Sequence, residues 1–191
     1  MSTRIAVMQP YLFPYKGYFD LIESVDKFVV YDDAQWIKGG WINRNYFPER
    51  FTFSVAKHPR SAKINECYYY NLKADIERFP IKNNLTEYVF MRMAPNYSVS
   101  YNNILALEEV CRHLKIKTPF YVSSDIQHRR GAQGLVDIVN KLGGTTYVNS
   151  PGGRDLYTQE QFGDIKLEFI ETEVGHSIIC ECCSLVTGNR S

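Results

Sequence analysis

Three short polar clusters carry residue types able to do chemistry. Asp32-Asp33 places two carboxylates directly after an apolar run. An aspartate there can act as a general base or offer oxygen ligands to a divalent cation. Neighbouring side chains in extended backbone point oppositely, so one of the two faces a ligand; the pair also reads as an ordinary solvated turn. Trp41-Ile42-Asn43-Arg44-Asn45 follows Gly39-Gly40. Two amides around an arginine make a dense donor set for carboxylate, phosphate or sugar hydroxyls, with Trp41 as a stacking face and Lys38 adding charge. A loop whose asparagines bond their own backbone fits the same residues. Ser123-Ser124-Asp125 offers hydroxyls, backbone N–H groups and a third carboxylate, followed by His128, Arg129 and Arg130. That set suits an anion or a proton transfer, and equally plain helix capping.

Two weaker signals join these. Gln9-Pro10-Tyr11 lies in the first turn, where Gln9 can read an amide or hydroxyl or satisfy turn backbone. Pro151-Gly152-Gly153 permits close backbone approach to a ligand, with Tyr157 nearby. The glycines lack the spacing of a phosphate-cradling loop or a dinucleotide fingerprint. His176, Cys180, Cys182 and Cys183 form a soft-ligand cluster, but the spacing is a poor match to a zinc site, and no metal is expected. None of the four histidines sits in a hydrolase elbow or a zinc-protease helix.

The elements that must position these clusters alternate. Ile5 to Met8 is a short buried strand, and Tyr18, Leu21, Ile22 and Val25 mark one face of a helix. Lys27 to Tyr31 is a second strand, stopped by Asp32-Asp33. Leu107, Val110, Cys111 and Leu114 repeat the helical spacing, and Phe120 to Val122 is a strand ended by Ser123. Leu135, Ile138, Val139 and Leu142 give another helix, closed by Lys141 and Gly143, and Thr145 to Val148 is the next strand. Lys166 to Phe169 alternates polar and apolar, as an edge strand does. Between them, Phe51 to Val55 alternates like a strand, and residues 65–103 are rich in Tyr and Asn, with helices expected over 72–79 and 85–93. The expected fold is α/β, a mostly parallel sheet flanked by helices, with a helical Tyr/Asn-rich insertion in the middle. Such sheets bind ligands beyond the carboxyl ends of their strands. Gln9, Asp32-Asp33, Ser123-Ser124-Asp125 and Asn149 to Gly153 each follow a proposed strand, so parallel strands would bring all four to one edge.

Composition narrows the class. The chain has 191 residues, a net charge of +1 and 14 Tyr. That length suits a single domain spanning 1–191. The near-zero charge gives no field to recruit nucleic acid, and no apolar run approaches the ~18 residues of a membrane span. No signal peptide is visible, so a cytoplasmic protein is expected, with its five cysteines as thiols. The expected partner is a small-molecule substrate; the residues name no cofactor.

Taken together, QPYLFPYKGYF, VDKFVVYDD, GWINRN, IKTPFYVSSD and GGTTYVNSPGG resemble the WbqC-like family over about residues 4 to 170. That family is tied to bacterial O-antigen and other surface-polysaccharide gene clusters, and a glycine transferase role has been suggested for a member. The resemblance implies a biosynthetic transferase that moves an amino acid such as glycine, or a small acyl group, onto a nucleotide-linked or lipid-linked sugar precursor. Among the motif residues it marks by position are Gln9, Tyr18, Asp32, Asp33, Trp41, Asn43, Arg44, Asn45, Ser123, Ser124, Asp125, Gly152, Gly153 and Tyr157. With Tyr11 of the first turn, these are the candidate site. Asp32, Asp33 and Asp125 are the candidate catalytic residues and the rest the candidate binding residues. Arg44 would bind phosphate or carboxylate, Asp32 or Asp125 would deprotonate the attacking group, and Ser124 with backbone N–H groups would hold the oxyanion. Two other functions fit: an acyl-adenylate-forming nucleotidyltransferase, with Tyr15 and Tyr18 where a HIGH-type motif has histidines, or a non-catalytic carbohydrate-binding subunit. The tail over 171–191 departs from the family, and reads as truncated, frameshifted or a short variant.

Overall fold

A computed structural model of the protein describes residues 2–172 and 175–180. In chain order the elements are β1 (Arg4–Met8), α1 (Lys16–Glu23), β2 (Lys27–Val30), β3 (Arg44–Tyr46), β4 (Arg50–Thr52), α2 (Leu72–Arg78), α3 (Asn84–Arg92), α4 (Val99–His113), β5 (Phe120–Val122), α5 (Ala132–Lys141), β6 (Thr146–Asn149), α6 (Gln159–Phe162) and β7 (Lys166–Phe169). They sort into two units. The first takes Met1–Gln9, Gly17–Asp32 and Ile116–Val174; the second takes Pro10–Lys16, Asp33–Lys115 and Gly175–Ser191.

The first unit is built on a five-stranded sheet in the order β5-β2-β1-β6-β7. Every pairing in it is parallel. A parallel sheet needs crossovers that cover both faces, so its strands are apolar throughout rather than alternating. Ile5, Ala6 and Val7 of β1 and Phe28, Val29 and Val30 of β2 are accordingly buried. On one face Ile5, Val7, Val29 and Tyr147 pack with Leu135, Ile138 and Val139 of α5 and Phe162 of α6. Each such side chain contributes about 1.5–3 kcal/mol by leaving water. Tyr147 stacks flat on Phe162, ring centroids 4.9 Å apart. Phe28 meets Tyr18 of α1 at 5.6 Å and its register partner Phe120 at 5.2 Å. After α5 the chain turns through Gly143, whose φ of +69° suits glycine. It then runs through Gly144, where a Cβ would lie 2.6 Å from Ile5. The strand order makes the sheet doubly wound, α/β as expected, with its direction of winding reversing between β1 and β6.

The second unit holds the antiparallel pair β3–β4 and helices α2, α3 and α4. The expected strand over Phe51 to Val55 is shorter and displaced, ending at Thr52, because β4 pairs only with the three residues of β3. The helices expected over 72–79 and 85–93 are α2 and α3, each shifted by about a residue. Asn83 caps α3 through Thr86 N–H at 2.9 Å. Phe13, Phe47, Phe53, Phe79 and Phe90 form an aromatic core. Phe13 sits at φ +48°, uncommon for a bulky residue. Its carbonyl accepts from both Asn45 Nδ2 and Ser177 Oγ, which fix that conformation.

One buried amide ties this unit together. Asn103 on α4 has no exposed surface. Its Nδ2 donates to the carbonyls of Pro10 (2.8 Å) and Ile42 (2.9 Å), and its Oδ1 accepts from Tyr69 Oη at 2.6 Å. Burial raises the Tyr69 hydroxyl pKa, so that group remains a donor. Asn103→Ala leaves the Pro10 carbonyl and the Tyr69 hydroxyl without a partner, while the Ile42 carbonyl keeps the Leu12 N–H at 3.2 Å; each lost partner costs about 1–3 kcal/mol less whatever relaxation recovers. The expected outcome is a loss of about 2–4 kcal/mol in urea unfolding; a variant within 0.5 kcal/mol (~the scatter of neutral surface substitutions) would show that the amide does not hold the unit.

Candidate functional site

Because the five strands of the first unit are parallel, the residues after β1, β2, β5 and β6 lie on one edge of the sheet. Gln9, after β1, is half-buried, and its carbonyl accepts from Tyr18 Oη at 2.7 Å. Tyr18 itself is in the core, so its hydroxyl supports the turn from beneath. Asp32, just after β2, is 4% exposed. Its Oδ1 accepts from Ser123 Oγ and Ser124 N–H, both at 3.0 Å, and its Oδ2 from Ser124 Oγ at 2.9 Å. Hydrogen bonds to a charged group are worth about 1.5–3 kcal/mol each, so this carboxylate fixes the turn Ser123–Asp125 to the end of β2.

That arrangement divides the expected roles. Asp32 is enclosed by donors and acts as an anchor. Asp125, in the same turn, is exposed. Ser124 directs both its N–H and its hydroxyl proton at Asp32, so in this geometry neither stabilises an oxyanion. Its oxygen still has lone pairs to accept with.

The end of β6 is organised by crowding. Asn149 is buried, and its Oδ1 accepts from Ser150 N–H at 2.8 Å. A Cβ on Gly153 would fall 2.3 Å from Asn149 Nδ2, so the second glycine is required where the turn Pro151–Gly153 crosses that amide. A Cβ on Gly152 would meet nothing within 4 Å. Tyr157 donates its N–H to the Gly153 carbonyl at 3.1 Å, and its ring packs edge-on against Tyr147. Burial raises its hydroxyl pKa, which keeps it a proton donor at neutral pH.

Beyond β5 the basic run is largely committed. Arg129 binds Asp137 through Nε and Nη2 at 2.8 and 2.6 Å, and through its N–H at 2.9 Å. The Arg129 side chain, and then its N–H, hold the Asp137 carboxyl well below the usual carboxylate range. The His128 ring lies against Tyr31, centroids 5.7 Å apart. Arg130 is exposed.

In the second unit the motif residues take part in a hairpin. Asn43 Nδ2 donates to the Phe53 carbonyl at 2.6 Å and Asn45 Nδ2 to that of Phe13 at 2.8 Å. The Arg44 guanidinium lies over the Trp41 ring at 5.1 Å. Asp33 pairs with Lys63 at 3.4 Å, so the adjacent aspartates have separate partners. The Tyr11 hydroxyl has a raised pKa, through burial and then Tyr15.

Asn149 was placed at the strand edge by sequence without being named a site residue, and Tyr31 was absent from the candidates; Asn149 ends β6 and Tyr31 follows β2. Among the described residues no group of three His, Cys, Asp or Glu is arranged to hold a metal ion. Cys182 and Cys183 lie outside the described residues. Cys67 and Cys111 are free and buried. Burial pushes their thiols up to about 11 and about 12, so neither is a ready nucleophile.

Compared with known proteins, the model of the WbqC-like protein family matches residues 9–176. The uncharacterized protein Rv1507c of Mycobacterium tuberculosis is 26% identical over 185 aligned residues, spanning 86% of this chain and 79% of the relative. No solved structure matches.

The anchoring role of Asp32 has a direct readout. Asp32→Asn keeps the shape but removes the charge and one acceptor. Hydrogen exchange at the Ser124 amide should rise about 10–100-fold, the equivalent of one charge-assisted bond; an unchanged amide would mean that the turn holds itself.

Proposed function

The chain belongs to the WbqC-like protein family, and from that membership we propose that it is a cytoplasmic transferase of surface-polysaccharide biosynthesis, moving glycine or another small acyl group onto a sugar precursor. The observation that carries this reading is the exposed Asp125 beside a turn locked by Asp32, at the carboxyl edge of a parallel sheet. A general base needs a fixed position and an open approach; the turn that carries Asp125 is held by Asp32, and Asp125 is exposed.

The step this supports is acyl transfer. Asp125 takes the proton of a hydroxyl or amine on the acceptor as that atom forms a bond to the acyl carbon. The tetrahedral intermediate collapses by breaking the bond to the donor's leaving group, which recovers the proton. Oxyanion stabilisation falls to backbone N–H groups of the strand-end turns, since the Ser124 protons are directed at Asp32. Gln9 and the Tyr157 hydroxyl are placed to read polar groups of the substrate.

A second reading, acyl activation as an adenylate, draws on the doubly wound strand order, which in open α/β sheets puts nucleotides at the reversal point. In it the turn after β1 and that after β6 take the nucleotide. Tyr18 has no direct part, because its ring is buried.

Purified protein mixed with nucleotide sugars and activated glycine donors should give a sugar product heavier by one glycyl group in mass spectrometry. Asp125→Asn should lower that rate about 100-fold or more with unchanged melting, the usual worth of a positioned base. Full activity in Asp125→Asn removes the base assignment. Pyrophosphate exchange with ATP and free glycine, without glycyl transfer, would select the adenylate reading.

A further inference from the structure

The hairpin of the second unit carries a surface that the acyl-transfer step does not use. Trp41 is 46% exposed and Tyr46 41% exposed, and their rings lie 5.9 Å apart. His176 borders Tyr46, with ring centroids 6.4 Å apart. Exposed aromatic rings held side by side are costly to leave in water, and they suit a ligand with flat apolar faces and polar edges.

Between them in the hairpin stands Arg44. Arg78, Arg92 and Arg112 of the same unit each reach a carboxylate. The Arg44 side chain forms no hydrogen bond or ion pair with any described residue. Its Nε is enclosed without a partner, and the guanidinium rests on Trp41. A half-buried guanidinium presents five N–H donors in a rigid fork matched to carboxylate and phosphate, and its desolvation is uncompensated until such a group arrives.

Its position is fixed by backbone. Arg44 pairs with Thr52 in the hairpin, and Asn43 and Asn45 on either side are bonded to the Phe53 and Phe13 carbonyls. Gly39 at φ +76° carries the preceding loop past the arginine, where a Cβ would lie 3.9 Å from Nη1. Arg50 stands across the hairpin from Tyr46 and adds a second cation. A preorganised cation flanked by aromatic faces loses little freedom on binding.

We propose that Trp41, Arg44 and Tyr46 form a binding surface for a pyranose that carries an anionic group. The sugar ring lies on Trp41 and Tyr46 through its C–H face, and the anion takes the Arg44 fork. The inference goes beyond the transferase reading and does not depend on it: binding is measured without any donor, so the two fail separately.

The full chain is titrated with glucose 1-phosphate, glucuronate, glucose and inorganic phosphate, followed by calorimetry and tryptophan fluorescence. One of the two anionic sugars should bind at least tenfold more tightly than glucose and than inorganic phosphate, and which one does names the anion as phosphoryl or carboxylate. Arg44→Gln should erase the advantage over glucose, Arg44→Lys should recover part of it, and Trp41→Ala should weaken the anionic sugar at least tenfold, all with unchanged melting. Inorganic phosphate binding as tightly as the sugar phosphate would reduce the surface to a plain anion contact and overturn the proposal. Equal binding of glucose, or no binding at millimolar concentration, would overturn it as well.

Discussion

A parallel sheet covered on both faces leaves polar chemistry only the ends of its strands, and the first unit follows from that constraint. Its middle strands are buried on both sides, from Ile5 to Val7, Phe28 to Val30 and Thr146 to Val148. No side chain within these stretches can serve a substrate. Functional groups therefore collect where the strands stop, and parallel pairing puts all the carboxyl-terminal stops on one edge. The polar residues at Gln9, Asp32, Ser123 to Asp125 and Asn149 to Gly153 are the outcome of that geometry.

Two neighbouring aspartates show how finely charge is placed. Asp32 is drawn in to collect three donors, while Asp33 pairs with a lysine. Two adjacent carboxylates of one sign are thereby kept apart without either being left unpaired. The cost of burying Asp32 is offset only because Ser123 and Ser124 supply hydroxyls as well as a backbone N–H. Alanine at both positions would take both hydroxyl donors from the carboxylate. The serines, read alone as capping residues, are better understood as the solvation shell of a buried anion. Asn103 plays the corresponding neutral part in the second unit, terminating two carbonyls and a hydroxyl with one amide.

Much of this was legible in the residues. Short apolar runs broken by Gln-Pro, Asp-Asp, Ser-Ser and Asn-Ser-Pro-Gly marked β1, β2, β5 and β6, since nothing but a buried strand needs so short and so continuous an apolar stretch. The i, i+3, i+4, i+7 spacing marked α1, α4 and α5 for the complementary reason, a single covered face. Strand order was not legible, because the pairing of β1 with β6 joins Arg4 to Thr146 and no local pattern encodes so distant a neighbour. The partners of side chains were hidden too. The sequence nominated Asp32 as a base, Tyr18 as a ligand contact and Asn43 and Asn45 as sugar readers. Tyr18 points its hydroxyl at a turn carbonyl and the two asparagines hold the hairpin, contacts set by the folded backbone that no residue spacing encodes. Gly152 and Gly153 look alike in sequence, yet only the second is dictated by a neighbour, Asn149, which is itself placed by β6.

The threading of the chain has a temporal consequence. Neither unit is one continuous stretch: the polypeptide passes from one to the other after Gln9, Lys16, Asp32, Lys115 and Val174. During synthesis β1 and β2 emerge early and can pair, but the other side of β1 waits for β6, which follows the whole of the second unit. Until then the nascent chain carries an apolar strand with an open edge, the kind of surface that seeks partners in other molecules and that chaperones cover. Sheets closed by such distant contacts assemble slowly once the chain is released. How long β1 stays uncovered during synthesis is thus a property of the order of segments along the chain rather than of the finished contacts.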